Sequence, residues 1–142
     1  MIYADTNVLL SIFCADVLSA RAVHWFQGIG EPLCVSTWTV IEFRSNLGIR
    51  VRKRSLPRST AIAAMARFDI AVAANFHQIS PTPGNFTQAS DWLASPECAL
   101  RSGDALHLAI AFGHQCKRFA TFDQPLGAAA RKLNLPVDVL KP

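Results

Sequence analysis

Charge is scarce in this chain of 142 residues: Asp, Glu, Lys and Arg make up 17% of it, against about 25% in an average soluble domain. Hydrophobic residues reach 51%, and a chain with that much apolar surface and so little charge is neither disordered nor of low complexity. No apolar run reaches the ~18 residues that a membrane-spanning helix needs. No Lys or Arg precedes Arg21, so the basic start of a signal peptide is missing. These absences predict a cytoplasmic protein with no membrane partner. Cys14, Cys34, Cys98 and Cys116 include no C-x-x-C pair, which argues against a zinc framework and for four reduced thiols. The length suits one domain spanning residues 1–142.

Acid is missing altogether between Phe43 and Phe68, where seven of the fourteen basic residues are concentrated: Arg44, Arg50, Arg52, Lys53, Arg54, Arg58 and Arg67. Arg50, Arg52, Lys53 and Arg54 are therefore candidate nucleic-acid contacts, with an ordinary solvated helix face as the plainer alternative. So small a body cannot enclose all of its apolar surface, which predicts a face covered by a partner or a second copy.

Short apolar segments alternate with helical stretches. Strands are expected at Ile2–Ala4, Leu33–Ser36, Phe76–Ile79, Arg118–Phe122 and Pro136–Leu140. Helices are expected at Val8–Phe13, Ser19–Gln27, from a Thr37 cap into the basic segment, Arg58–Ala74, Phe86–Ala94, Asp104–Gly113 and Gln124–Leu133, with Pro81–Gly84 as a loop. That alternation predicts an α/β fold, a mainly parallel sheet covered by helices on both faces.

In such sheets ligands bind at the carboxyl ends of the strands. Asp5 ends the first strand, Asp123 follows the fourth, Asp104 opens a helix, and Glu42 lies in the helix entered after Ser36. Each has a plain alternative: Asp104 and Asp123 as helix caps, Asp5 as a cap of the Asn7 turn, Glu42 as a surface acid. Gathered at one edge, however, four like charges would repel unless a cation held them. Oxygen ligands suit Mg²⁺ or Mn²⁺, and the matching chemistry is phosphodiester hydrolysis by metal-activated water. A basic segment near these acids would make the substrate a nucleic acid.

The same residues carry a family resemblance. Tyr3 to Leu10 (Y-A-D-T-N-V-L-L), Glu42 within S-T-W-T-V-I-E-F, L-R-S-G-D-A-L-H-L-A from Leu100, and A-T-F-D-Q-P-L-G-A-A-A from Ala120 resemble the PIN-domain family, and within it the VapC-type toxins of bacterial type II toxin–antitoxin pairs. The resemblance implies a three-layer α/β/α sandwich and a dimeric, Mg²⁺- or Mn²⁺-dependent endoribonuclease restrained by a VapB-like antitoxin. It implies that Asp5, Glu42, Asp104 and Asp123 form the catalytic quartet, with Asp5 and Asp104 as direct metal ligands. Asp123 would serve a second metal position or orient water, and Glu42 would support the site directly or through water. Thr121 and Asn7 match the family's polar residues beside the outer acids, where they would hold a carboxylate or water; turn capping is the alternative.

Gln124 is neutral where many members carry a further acid. His107 is expected to pack or hydrogen-bond rather than bind zinc, which would want several nitrogen or sulfur ligands in register. Trp25, Trp38 and Trp92 are expected in the core or an interface. Two other readings compete: a haloacid-dehalogenase-like phosphatase, whose second Asp is here Asn7, and a non-catalytic PIN-like scaffold that binds RNA or regulates.

Overall fold

The computed structural model describes residues 1–95 and 98–139. Five strands, β1 (Ile2–Ala4), β2 (Leu33–Ser36), β3 (His77–Ile79), β4 (Arg118–Thr121) and β5 (Val137–Val139), pair in the order β3-β2-β1-β4-β5, every pairing parallel. Between them run α1 (Thr6–Phe13), α2 (Ser19–Gly28), α3 (Thr37–Arg52), α4 (Arg58–Asn75), α5 (Pro83–Leu93), α6 (Ser102–Gly113) and α7 (Gln124–Lys132). The expected Leu140 end of the last strand lies outside the described residues.

The central strands are buried on both faces, as a parallel sheet requires, and the alternation of side chains along them splits the core in two. Ile2, Ala4 and Val35 pack on one side with Val8 and Leu9 of α1, Phe43 and Leu47 of α3 and Phe68 of α4. Tyr3, Cys34 and Phe119 pack on the other with Ala89 of α5, Leu108 and Ile110 of α6 and Leu126 of α7. The result is the expected α/β/α sandwich. Trp25 packs against the first core, Trp38 and Trp92 against the second, and all four cysteines are free thiols. Ile41 on α3, Ile62 and Ile70 on α4 and Phe86 on α5 remain exposed, apolar area of the kind the composition foretold. No described helix is long and apolar enough to cross a membrane.

Several helices start earlier than expected: α1 at Thr6 rather than Val8 and α6 at Ser102 rather than Asp104, and two further starts have an identifiable cause. Ser36, not Thr37, caps α3: the Thr39 amide donates to Ser36 Oγ and the Ser36 amide donates back to Thr39 Oγ1. The predicted Pro81–Gly84 loop is already helical from Pro83, because Thr82 accepts from the Asn85 amide and Pro83 takes the first helical position, where its missing N–H costs nothing.

Candidate active site

Asp5 leaves β1 in extended conformation and stands before the first turn of α1, yet its side chain does not cap that helix. The turn-capping alternative is thus not realised; Asp5, only 5% exposed, accepts instead at Oδ2 from Thr121 Oγ1 at 2.8 Å. Thr121 ends the neighbouring strand, and its hydroxyl also accepts from the Asp123 amide at 2.9 Å and from Asn7 Nδ2 at 3.3 Å. With two donors arriving, the single hydroxyl proton is committed to Asp5. Asn7 Oδ1 accepts from the Phe122 amide at 3.1 Å, tying α1 to the end of β4.

Asp123 and Asp104 do serve their helices. Asp123 Oδ1 caps α7 through the Leu126 amide at 2.9 Å, and Asp104 Oδ2 accepts from the Arg101 amide at 3.2 Å in the first turn of α6. Glu42, a turn and a half into α3, accepts at Oε2 from Thr6 Oγ1 at 2.8 Å and lies 2.6 Å from His107 Nε2. Each of the four carboxylates therefore spends one oxygen on the protein. Among the described residues the other four, Asp5 Oδ1, Glu42 Oε1, Asp104 Oδ1 and Asp123 Oδ2, accept no hydrogen bond.

The acids sense one another. Burial pushes the Asp5 carboxyl above its ordinary range, His107 and Thr121 pull it back, and Asp104 and Glu42 push it up again. Burial likewise raises Asp104; the Arg101 amide opposes this and the Asp123 charge adds to it. Glu42 differs: burial works to raise it, but the hydrogen bond and charge of His107, with Thr6, prevail and hold it below the usual range.

All-oxygen donors with spare lone pairs and mutual repulsion fit a hard divalent cation. Among the described residues no three His, Cys, Asp or Glu side chains are drawn close enough to hold a metal ion by themselves. Mg²⁺ commonly takes one or two carboxylates and completes its shell with water and phosphate oxygens, so the donor set fits in kind. His107, 1% exposed and bonded at both nitrogens to Tyr3 and Glu42, is the hydrogen-bonding residue the sequence foretold.

The basic segment does not adjoin these acids. Arg50 and Arg52 form the last turn of α3, where they suit the helix dipole, and Arg52 stands ten residues beyond Glu42, about 15 Å along the helix. Arg52, Lys53 and Arg54 are exposed there, and Arg50 is half-buried. A cation that does lie at the acids, and that sequence reasoning leaves unassigned, is exposed Arg101, whose charge opposes the rise in Asp104. Its place three residues before Asp104 was the available signal.

The sequence profile of the PIN domain matches residues 2–132. The chain belongs to the PIN domain family. All four acids of this PIN domain lie within the matched span, as do Asn7 and Thr121. Among solved structures it is similar to the Mycobacterium tuberculosis sarcin-ricin loop cleaving toxin VapC20, at a TM-score of 0.74 and 18% identity, covering 91% of this chain and 95% of that one. Neisseria gonorrhoeae FitAcB matches at 0.69 and 21% identity, covering 96% of each chain. Rickettsia felis VapBC2, solved on a DNA fragment from its promoter, matches at 0.67 and 13%, covering 97% of this chain and 98% of its own. At these identities the likeness establishes a shared fold. Comparison with curated protein sequences gives no significant match.

Proposed function

We propose that this PIN domain is a metal-dependent endoribonuclease, the cytoplasmic toxin of a type II toxin–antitoxin pair, acting as a homodimer and restrained by a VapB-like antitoxin. The observation that carries the reading is the set of four carboxylates at the carboxyl edge of the sheet, each with an oxygen to spare and each felt by a neighbour. The structural neighbours support it: one is described as a sarcin-ricin loop cleaving toxin and others as toxin–antitoxin complexes. Exposed Ile41, Ile62, Ile70 and Phe86 offer apolar area to a second copy and an antitoxin.

Bound Mg²⁺ or Mn²⁺ supplies a Lewis acid that activates water and neutralises charge on the phosphodiester. Asp5 and Asp104 would hold it through the oxygens their hydrogen bonds leave available, with Asp123 serving a second position or a water. Thr121 keeps Asp5 from turning by holding Oδ2, and Asn7 acts through Thr121. Glu42 accepts from water at the reacting phosphate. Arg50, Arg52, Lys53 and Arg54 contact the RNA backbone away from the cleaved bond, as their distance along α3 requires.

The test is digestion of total cellular RNA by the purified chain with Mg²⁺, with Mn²⁺ and with EDTA, beside Asp5→Asn. Discrete metal-dependent fragments that vanish in the variant are expected. A folded chain that cuts nothing under any of these conditions would overturn the reading in favour of a non-catalytic RNA-binding scaffold.

A further inference from the structure

Glu42 is held by more hydrogen bonds than a simple acidic ligand needs, and they continue into the core. Tyr3, fully buried and stacked on Phe119 with ring centroids 5.6 Å apart, brings its hydroxyl to 2.8 Å from His107 Nδ1, 2.8 Å from Ser36 Oγ and 3.2 Å from Thr39 Oγ1. His107 Nε2 then meets Glu42 Oε2 at 2.6 Å. The Glu42 carboxylate can only accept, so Nε2 carries hydrogen. Burial keeps the Tyr3 phenol protonated, and its oxygen is shared between Nδ1 and the two hydroxyls. Ser36 Oγ in turn receives the Thr39 amide at 3.0 Å and lies 2.9 Å from Thr39 Oγ1. The contacts thus run unbroken from Thr39 through Ser36, Tyr3 and His107 to Glu42.

Glu42 is confined on its other side too. A Cβ on Gly103 would lie 2.7 Å from Glu42 Oε1, whereas the next neighbours, Glu42 Cδ and Trp38 Cζ2, are at 3.8 and 4.0 Å. The carboxylate occupies space that any other residue at this helical position would fill.

We propose that His107, braced by Tyr3 and donating its Nε2–H to Glu42, is a positioning residue that sets the orientation of Glu42 at the cleavage site, and that Gly103 is the gap into which the carboxylate's second oxygen fits. The proposal rests on the nuclease reading for its effect on cleavage, but its structural half stands apart from activity.

Two measurements on the full chain test it. Side-chain ¹⁵N NMR reads the ring hydrogens directly, without RNA: a hydrogen on Nε2 is expected, with the ring nitrogen shifts changed in Tyr3→Phe. A bare Nε2 in the wild type, or nitrogen shifts indifferent to Tyr3→Phe, overturns the proposal even if the protein cuts RNA. Cleavage kinetics give the second test. Outer partners of site groups commonly change activity by about 10- to 100-fold, and a loss of that size in kcat, with little change in KM, is expected for His107→Leu and for Gly103→Ala. His107→Gln, which keeps an N–H donor within reach of Glu42, should recover part of it. Gly103→Ala carries particular weight because only the flexible tip of Glu42 must yield, so the fold survives while the orientation is lost. Glu42→Gln combined with His107→Leu should be no slower than Glu42→Gln alone. Wild-type kcat in a folded Gly103→Ala, or in a folded His107→Leu, overturns the proposal. Failure of the wild type to cut RNA would sink the nuclease reading and leave the NMR measurement to decide this one.

Discussion

The two ends of the same sheet treat their carboxylates in opposite ways. At the amino edge, Glu31 meets the amino-terminal nitrogen at 3.1 Å and Arg118 at 3.1 Å, while Asp138 takes Arg118 and the Trp25 indole N–H. The hydrogen bonds from the amino terminus and Arg118 hold Glu31 below its usual range, and Asp138 and Glu31 raise the Arg118 guanidinium further. At the carboxyl edge, Asp5, Asp104 and Asp123 accept only from a hydroxyl and backbone amides, and burial raises Asp5 and Asp104. An acid neutralised by a cation of its own chain serves the fold. Acids left short of positive charge in a buried corner cost stability, and such sites persist where an external cation completes them.

The largest effect that would sharpen this contrast is in the acid edge's chemistry. Asp5→Asn or Asp104→Asn should abolish metal-dependent RNA cleavage while leaving the melting temperature of the metal-free protein unchanged or higher, since each removes a charge that burial opposes. Full cleavage by either variant would show that the acids are not the site. Arg118→Met should do the reverse. It strands Glu31 and Asp138, and losing this solvent-exposed ion network should lower the melting temperature by a few degrees at most, with the cleavage rate untouched.

Proton dependence separates the edges more finely. Folded-state pKa values raised for Asp5 and Asp104 mean stability that is full below their ordinary 3.8 and is lost as pH rises through the folded values. For Glu31, with a lowered pKa, the contribution is present above the ordinary 4.5 and is lost as pH falls through the folded value. In EDTA, melting temperature should therefore climb as a neutral solution is mildly acidified. Asp5→Asn should flatten that climb, and Glu31→Gln should reduce the fall at still lower pH. A thermal-melt series across the acid range checks both signs. The smallest effect belongs to the far end of α3. Reversing charge at Arg50, Arg52 and Arg54 should weaken RNA binding and reduce the salt slope by about 0.7 for each phosphate no longer neutralised, with kcat intact; an unchanged slope would mean these cations do not touch RNA.

Much of the frame is legible because its signals are local. Ile2–Ala4, Leu33–Ser36 and Arg118–Phe122 read as short strands between helical stretches, and an acid follows the first and the last of them directly, so strand-end position alone points to Asp5 and Asp123. Helix starts are less legible where two capping hydroxyls stand in a row, as at Ser36 and Thr37, or where Pro83 could open either a loop or a helix. Whether Asp5 caps its helix is also beyond the sequence, because its actual partner, Thr121, lies 116 residues away. The links from Tyr3 and Glu42 to His107 span 104 and 65 residues, and only the folded sheet brings them together. How far the basic segment lies from the acids is illegible for a geometric reason: Glu42 and Arg52 share one helix, and a helix carries its residues apart as surely as it connects them.

The tryptophans are placed so that each edge can be watched optically. Trp25 donates to Asp138 within the ion network, whereas Trp38 lines a cleft with Phe86, Ser102 and Gly103 beside the acids, its buried indole nitrogen without a partner among the described residues. Indole emission depends on the polarity around the ring, so one chromophore reports on the ion pairs and the other on the corner where the carboxylates gather. A protein carrying both Trp25→Phe and Trp92→Phe would let the emission of Trp38 follow a divalent cation or an RNA strand arriving at the acids, in real time and without a label.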